Sequence, residues 1–114
     1  MKLAAALAAL AVSLSTLLLL EAVSTAGAAD APRVHTVLME GMRYQPEGLT
    51  VAAGDTVVWI NRDMVPHTAT SASGRFDSNE IAPGKSWTHT VRSTGEFAYI
   101  CTYHPLMKAV LRVR

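Results

Sequence analysis

The chain has 114 residues, half of them hydrophobic, and ten Lys and Arg against nine Asp and Glu give a formal net charge of +1. Residues 1–29 carry 21 of the apolar residues and leave 36 among the other 85, an ordinary share for one globular domain with one modest core. Large multidomain enzymes, disulfide scaffolds (Cys101 is the only cysteine) and disordered chains are excluded, and the balanced charge argues against nucleic acid or an anionic membrane surface as a partner.

The first 29 residues read as an export signal. Met1-Lys2 gives a positive start, and residues 3–20 are almost wholly Ala and Leu, broken only by Ser13, Ser15 and Thr16. Ala26-Gly27-Ala28 then has the small-x-small form of a cleavage site, with Gly27-Ala28-Ala29 as a second possibility. A stretch of this length also approaches what a retained anchor needs, but the Ala-rich cleavage region favours removal. The expected mature domain is 30–114, outside the cytoplasm and most simply in a periplasm, with no membrane contact after cleavage.

The mature part reads as short strands separated by turns. Val34–Met39 is the first, followed by a loop around Gly41 and a turn at Pro46-Glu47-Gly48. Leu49–Ala52 and Asp55–Asn61 come next, the latter rich in β-branched and aromatic residues at Val57, Val58, Trp59 and Ile60. His67–Ser71 precedes a polar stretch from Ala72 to Glu80. Ser86–Val91, Glu96–Cys101 and Lys108–Arg114 complete the set, with turns at Pro83-Gly84 and Thr94-Gly95. No window of the mature part has helical periodicity, so the expected fold is an all-β, small antiparallel sandwich or barrel of about seven strands.

The lone thiol carries the chemistry. Outside the cytoplasm an unpaired cysteine is either buried and inert or held by a metal. Phe97, Tyr99 and Cys101 share one strand face, which places Cys101 at a strand end. Directly after it, Cys101-Thr102-Tyr103-His104-Pro105-Leu106-Met107 sets thiolate, imidazole and thioether at intervals of three residues. Upstream, Pro66-His67 opens a neighbouring strand. Two imidazoles and a thiolate with a weak thioether form the ligand set of a blue-copper electron-transfer centre; zinc is the competitor, but thioether is a poor zinc ligand. Taken singly, each residue has a plainer reading as core or surface, and it is the four together that point to metal. His35 and His89 lie inside strands with no evident cysteine or carboxylate partner and are read as non-ligands. His35, Met39 and Met42 are spaced poorly for a separate cuprous site, and Met64 is read as packing beside the centre.

The run Trp59 to His67, with Phe76-Asp77-Ser78, Pro83-Gly84, Gly95 to Cys101 and Cys-x2-His-x2-Met, resembles the plastocyanin-like cupredoxins, and its short ligand loop is most similar to the amicyanin group. The resemblance implies a Greek-key β-sandwich that holds one copper ion on His67, Cys101, His104 and Met107 and passes single electrons between redox partners. Thr68 stands where many members have Asn, and Tyr103 where amicyanin-type loops often have Pro. Thr68 and Thr102 each follow a ligand, so their hydroxyls are placed to tie the two ligand segments together. With four protein ligands and no triad, carboxylate pair or phosphate loop elsewhere, the expectation is a monomeric carrier and not an enzyme. Partner proteins would dock on the apolar surface of Pro66, His104, Pro105 and Leu106. A copper chaperone or store using the same site is the alternative.

Overall fold

The protein is described here from a computed structural model, which describes residues 31–114. The export segment expected over 1–29 lies outside the described residues. Eight strands follow in order: β1 (Val34–Glu40), β2 (Arg43–Gln45), β3 (Gly48–Val51), β4 (Thr56–Asn61), β5 (Thr70–Ser71), β6 (Ser86–Thr90), β7 (Gly95–Cys101) and β8 (His104–Val113). They form two four-stranded sheets, β2-β1-β4-β6 and β3-β8-β7-β5, and the chain crosses between sheets in Greek-key fashion.

The sheets are mixed, which corrects the expected antiparallel sandwich. β1 pairs parallel with β4, Val37 opposite Trp59, and β3 pairs parallel with β8, Leu49 opposite Leu111. Local alternation shows that a residue is in a strand and which face it uses, but it carries no information about strand direction. Element lengths also differ from expectation. β2 is too short to alternate visibly, and β5 keeps only two of the five residues expected. β8 begins at His104 instead of Lys108, because the chain after Cys101 turns back as a tight hairpin with Cys101 opposite His104.

Alternation places the core between the sheets. Val37 and Met39 of β1, Val57 and Trp59 of β4, Tyr99 of β7, and Ala109, Leu111 and Val113 of β8 point inward and are buried. Trp59 is fully enclosed, with ring contacts to Phe76, Trp87 and Tyr99 at centroid distances of 5.6, 5.3 and 5.8 Å. Truncating such a residue costs about 3–5 kcal/mol, so this aromatic cluster anchors the two sheets to each other. Buried polar side chains are matched: the Trp59 indole N–H donates to the Tyr99 hydroxyl at 3.3 Å. Burial pushes the Tyr99 phenol up to about 12, so it remains a neutral group within the core.

Candidate metal centre

One end of the sandwich brings His67 beside Cys101, with His104 and Met107 following Cys101 on the same loop. β7 delivers Cys101, fully buried, with a register irregularity between Ile100 and Cys101. Thr102-Tyr103 turns the chain, His104 opens β8 half-buried, and three residues later Met107 points inward in phase with Ala109, Leu111 and Val113. His67 arrives from the β4–β5 connection. Its backbone exchanges two hydrogen bonds with Ile81, at 3.1 and 2.7 Å, so it belongs to a bridge outside β5.

The His67 ring is fully buried, with Nδ1 3.7 Å from Cys101 Sγ and Nε2 2.7 Å from the Asp63 carboxylate. Burial works against ionising Asp63, but hydrogen bonds from His67 and from the backbone of Met42 and Gly41 outweigh it and hold this carboxyl below its ordinary range. An ionised carboxylate can only accept, so Nε2 carries the ring proton and Nδ1 presents a lone pair on the cysteine side. The His104 ring lies edge-on to His67, centroids 5.4 Å apart. Among the described residues no three His, Cys, Asp or Glu side chains converge as a metal-holding group. The centre is thus a close His67–Cys101 pair, with His104 and Met107 beside it on the loop.

The surroundings of the pair are satisfied group by group. The Thr68 N–H donates to Cys101 Sγ at 3.3 Å. The Thr102 N–H donates to Thr68 Oγ1 at 2.9 Å, and the two hydroxyls lie 3.3 Å apart, so these threonines tie the His67 segment to the Cys101 segment. Tyr44, buried on β2, donates its hydroxyl to the Thr68 carbonyl at 2.5 Å. Burial, with the Cys101 and Tyr99 groups nearby, pushes its pKa well above the ordinary phenol range, so it stays protonated and a donor. The Asn61 amide donates to the carbonyls of Val65 and Ile81 at 2.8 and 2.9 Å, and its oxygen accepts the Asp63 N–H at 2.9 Å. Tyr103 reaches across to Glu80 at 3.2 Å and pins the turn.

A model of the cupredoxin-like domain family matches residues 4–113. The chain belongs to that family. The amicyanin of Paracoccus versutus is 31% identical over 87 residues, covering 71% of this chain and 66% of that protein, and the chain spans 55% of the Paracoccus denitrificans amicyanin it also matches. A solved amicyanin variant in its Cu(I) form superposes with a TM-score of 0.68 at 29% identity, over 76% of this chain and 88% of that one. A Cu-containing nitrite reductase from Thermus scotoductus superposes at 0.66 and 29% identity, over 74% of this chain but 22% of that larger one.

Cupredoxins hold a single copper ion, and the residues of this chain fit one. Thiolate, imidazole and thioether are the donors copper prefers. With thiolate and imidazole bond lengths like those to zinc, about 2.3 and 2.0 Å, and a trigonal angle, the two donor atoms stand about 3.7 Å apart. The observed separation of His67 Nδ1 and Cys101 Sγ is 3.7 Å.

Two expectations need correction, those on the partner of His35 and on Met64. His35 does have a carboxylate partner: its Nε2 lies 2.8 Å from Asp55, just before β4 and far along β1 from the Cys101–Met107 loop. Met64 is not packed but is 95% exposed. Met39 is buried in the core, so His35, Met39 and Met42 face different surroundings. His89 stacks on Trp87 with 10° between ring planes. Sequence reasoning missed Asp63, Tyr44 and Asn61. The carboxylate four residues before His67 was the one local cue, but that spacing has a geometric meaning only in a helix.

Proposed function

We propose that this cupredoxin is an exported, monomeric carrier of single electrons, with copper held by His67, Cys101, His104 and Met107. The observation that supports it best is the buried His67–Cys101 pair at 3.7 Å, its imidazole oriented by Asp63 and its sulfur hydrogen-bonded by Thr68. Bound copper supplies a one-electron couple. The chain supplies the rest: two ligand segments tied through Thr68 and Thr102, and a sheet that allows little rearrangement when the charge changes. The four ligands leave no position for substrate, so the role is transfer and not catalysis.

The apolar surface at the loop supports docking of redox proteins. Leu106 is 91% exposed and so does not pack the loop, Pro105 is exposed beside it, and Pro66 and His104 are half-buried. An uncharged exposed patch on a small domain marks an interaction surface, and transient redox interfaces are small. Cleavage after the segment 1–29 would place the domain 30–114 in the periplasm. Among the described residues no helix is long and apolar enough to cross a membrane.

The test is Cu(II) added to the purified domain 30–114. An intense visible thiolate-to-copper band that bleaches and returns through redox cycles supports the carrier, and Cys101→Ser should abolish it. Tight Cu(I) binding without a reversible band would favour a chaperone or store, and an intensely coloured Cys101→Ser protein would overturn the ligand assignment. Mass analysis of exported protein reads the cleavage site.

A further inference from the structure

His67 and Cys101 are both fully buried, so an ion arriving from solvent meets neither of them first. It meets the cleft over the ligand loop, about 440 Å³ lined by Met42, Tyr103, His104, Pro105, Leu106 and Met107. That lining includes two thioethers and an imidazole, with His104 half-buried and Met42 41% exposed.

Met42 is an unexpected residue for its own turn. Gly41-Met42 is the two-residue link of the β1–β2 hairpin, closed by Glu40 opposite Arg43, and both residues have positive φ, 65° and 61°. A turn with this backbone favours glycine or asparagine, and a long side chain in the left-handed region is strained. Strain that the surroundings maintain points to a role in function. Here it is maintained by Asp63, whose carboxylate accepts the N–H of Gly41 at 2.8 Å and of Met42 at 2.9 Å. The same carboxylate orients His67. The turn that presents the Met42 thioether is therefore tied directly to a ligand histidine.

We propose that Met42, with His104 and Met107, forms an entry site for Cu(I), which takes the ion from solution or a donor and passes it inward; this rests on the ligand reading above. Soft thioethers select Cu(I), and imidazole completes a neutral three-donor set. Passage inward exchanges Met42 for Cys101 and His67. The cysteine proton is released to solvent as the thiolate binds, and no electron changes hands.

The experiment follows anaerobic transfer of Cu(I) from a chromophoric chelator by stopped flow. Met42→Leu and Met42→Gly should slow uptake about tenfold, the lower end of what loss of a metal-site partner costs. Final Cu(I) affinity and the band of the oxidised protein should stay unchanged, and Met42→His should restore the rate. Met42→Gly should also be more stable than wild type, since the turn favours glycine. Met64→Leu removes an exposed thioether that does not line the cleft and should load at the wild-type rate. With Cys101→Ser, weak Cu(I) binding in chelator competition should persist and disappear on adding Met42→Leu. Wild-type rates in Met42→Leu and Met42→Gly would overturn the entry site alone. A wild-type protein that takes up no copper would overturn the ligand reading itself.

Discussion

Replacing Asp63 by alanine isolates the bond that orients His67. The carboxylate accepts three hydrogen bonds: from Gly41 N–H at 2.8 Å, Met42 N–H at 2.9 Å and His67 Nε2–H at 2.7 Å. The two backbone donors lie at an exposed turn and can turn to water, but His67 is fully buried and cannot. A hydrogen bond to an ionised group contributes about 1.5–3 kcal/mol, and a buried donor left alone bears its full desolvation cost. The copper-free Asp63→Ala domain should therefore lose about 2–3 kcal/mol, a fall in Tm of roughly 10–20 °C for a chain this size. Copper affinity should drop about 10- to 100-fold, because the ring is then free to take the wrong tautomer. Asp63→Asn keeps an acceptor oxygen without the charge and should fall between the two. Thermal unfolding by circular dichroism and chelator competition read both quantities. A Tm within about 2 °C of wild type together with unchanged copper affinity would refute the reasoning.

Met107→Gln should keep a coloured site and lower its reduction potential in voltammetry, because an oxygen donor favours Cu(II) over Cu(I); an unchanged potential would remove Met107 from the ligand set. Tyr44→Phe leaves the Thr68 carbonyl without its buried donor and should cost about 1–3 kcal/mol in urea unfolding. Asp55 is held down to about 2 from an ordinary 3.8 by the Arg33 N–H, the His35 ring and the Ala52 N–H. Its stabilisation is complete above the ordinary value and is lost as pH falls from 3.8 towards 2, so Asp55→Asn should flatten that acid limb in unfolding curves taken across pH. Leu106→Glu should leave the visible band intact and slow electron transfer to the natural partner severalfold, and an unchanged stopped-flow rate would place the exit elsewhere.

What was legible in the sequence is what is local. Cys101, His104 and Met107 lie within seven residues, so their spacing alone constrains how they can meet, and Thr68 and Thr102 could be paired because they follow His67 and Cys101, the two residues expected to meet. The alternation that sets Phe97, Tyr99 and Cys101 on one strand face is likewise what the structure shows, with Tyr99 and Cys101 buried and Phe97 half-buried. The parallel pairing of β1 with β4 was not legible, because direction depends on which distant strand is the partner. Nor was the shortness of β5: His67 bonds to Ile81, and the Ala69 N–H goes to the Ser78 hydroxyl, so the segment that looked like one strand spends its bonds on the polar stretch after it. The bond between Asp63 and Met42 was not legible because it requires the β1–β2 hairpin and the β4–β5 connection to come together, a contact across more than twenty residues.

The hairpin of β7 and β8 is in regular register up to Ile100 opposite Lys108, and both strands are interior to their sheet. Everything from Cys101 to Met107 therefore hangs from two anchored ends, like an insert in a frame. Lengthening such a segment is cheap, since each doubling of a flexible loop costs only about 0.6 kcal/mol. The frame can thus accept loops of other lengths between the same two anchors and carry centres of different coordination, without renegotiating the core beneath them.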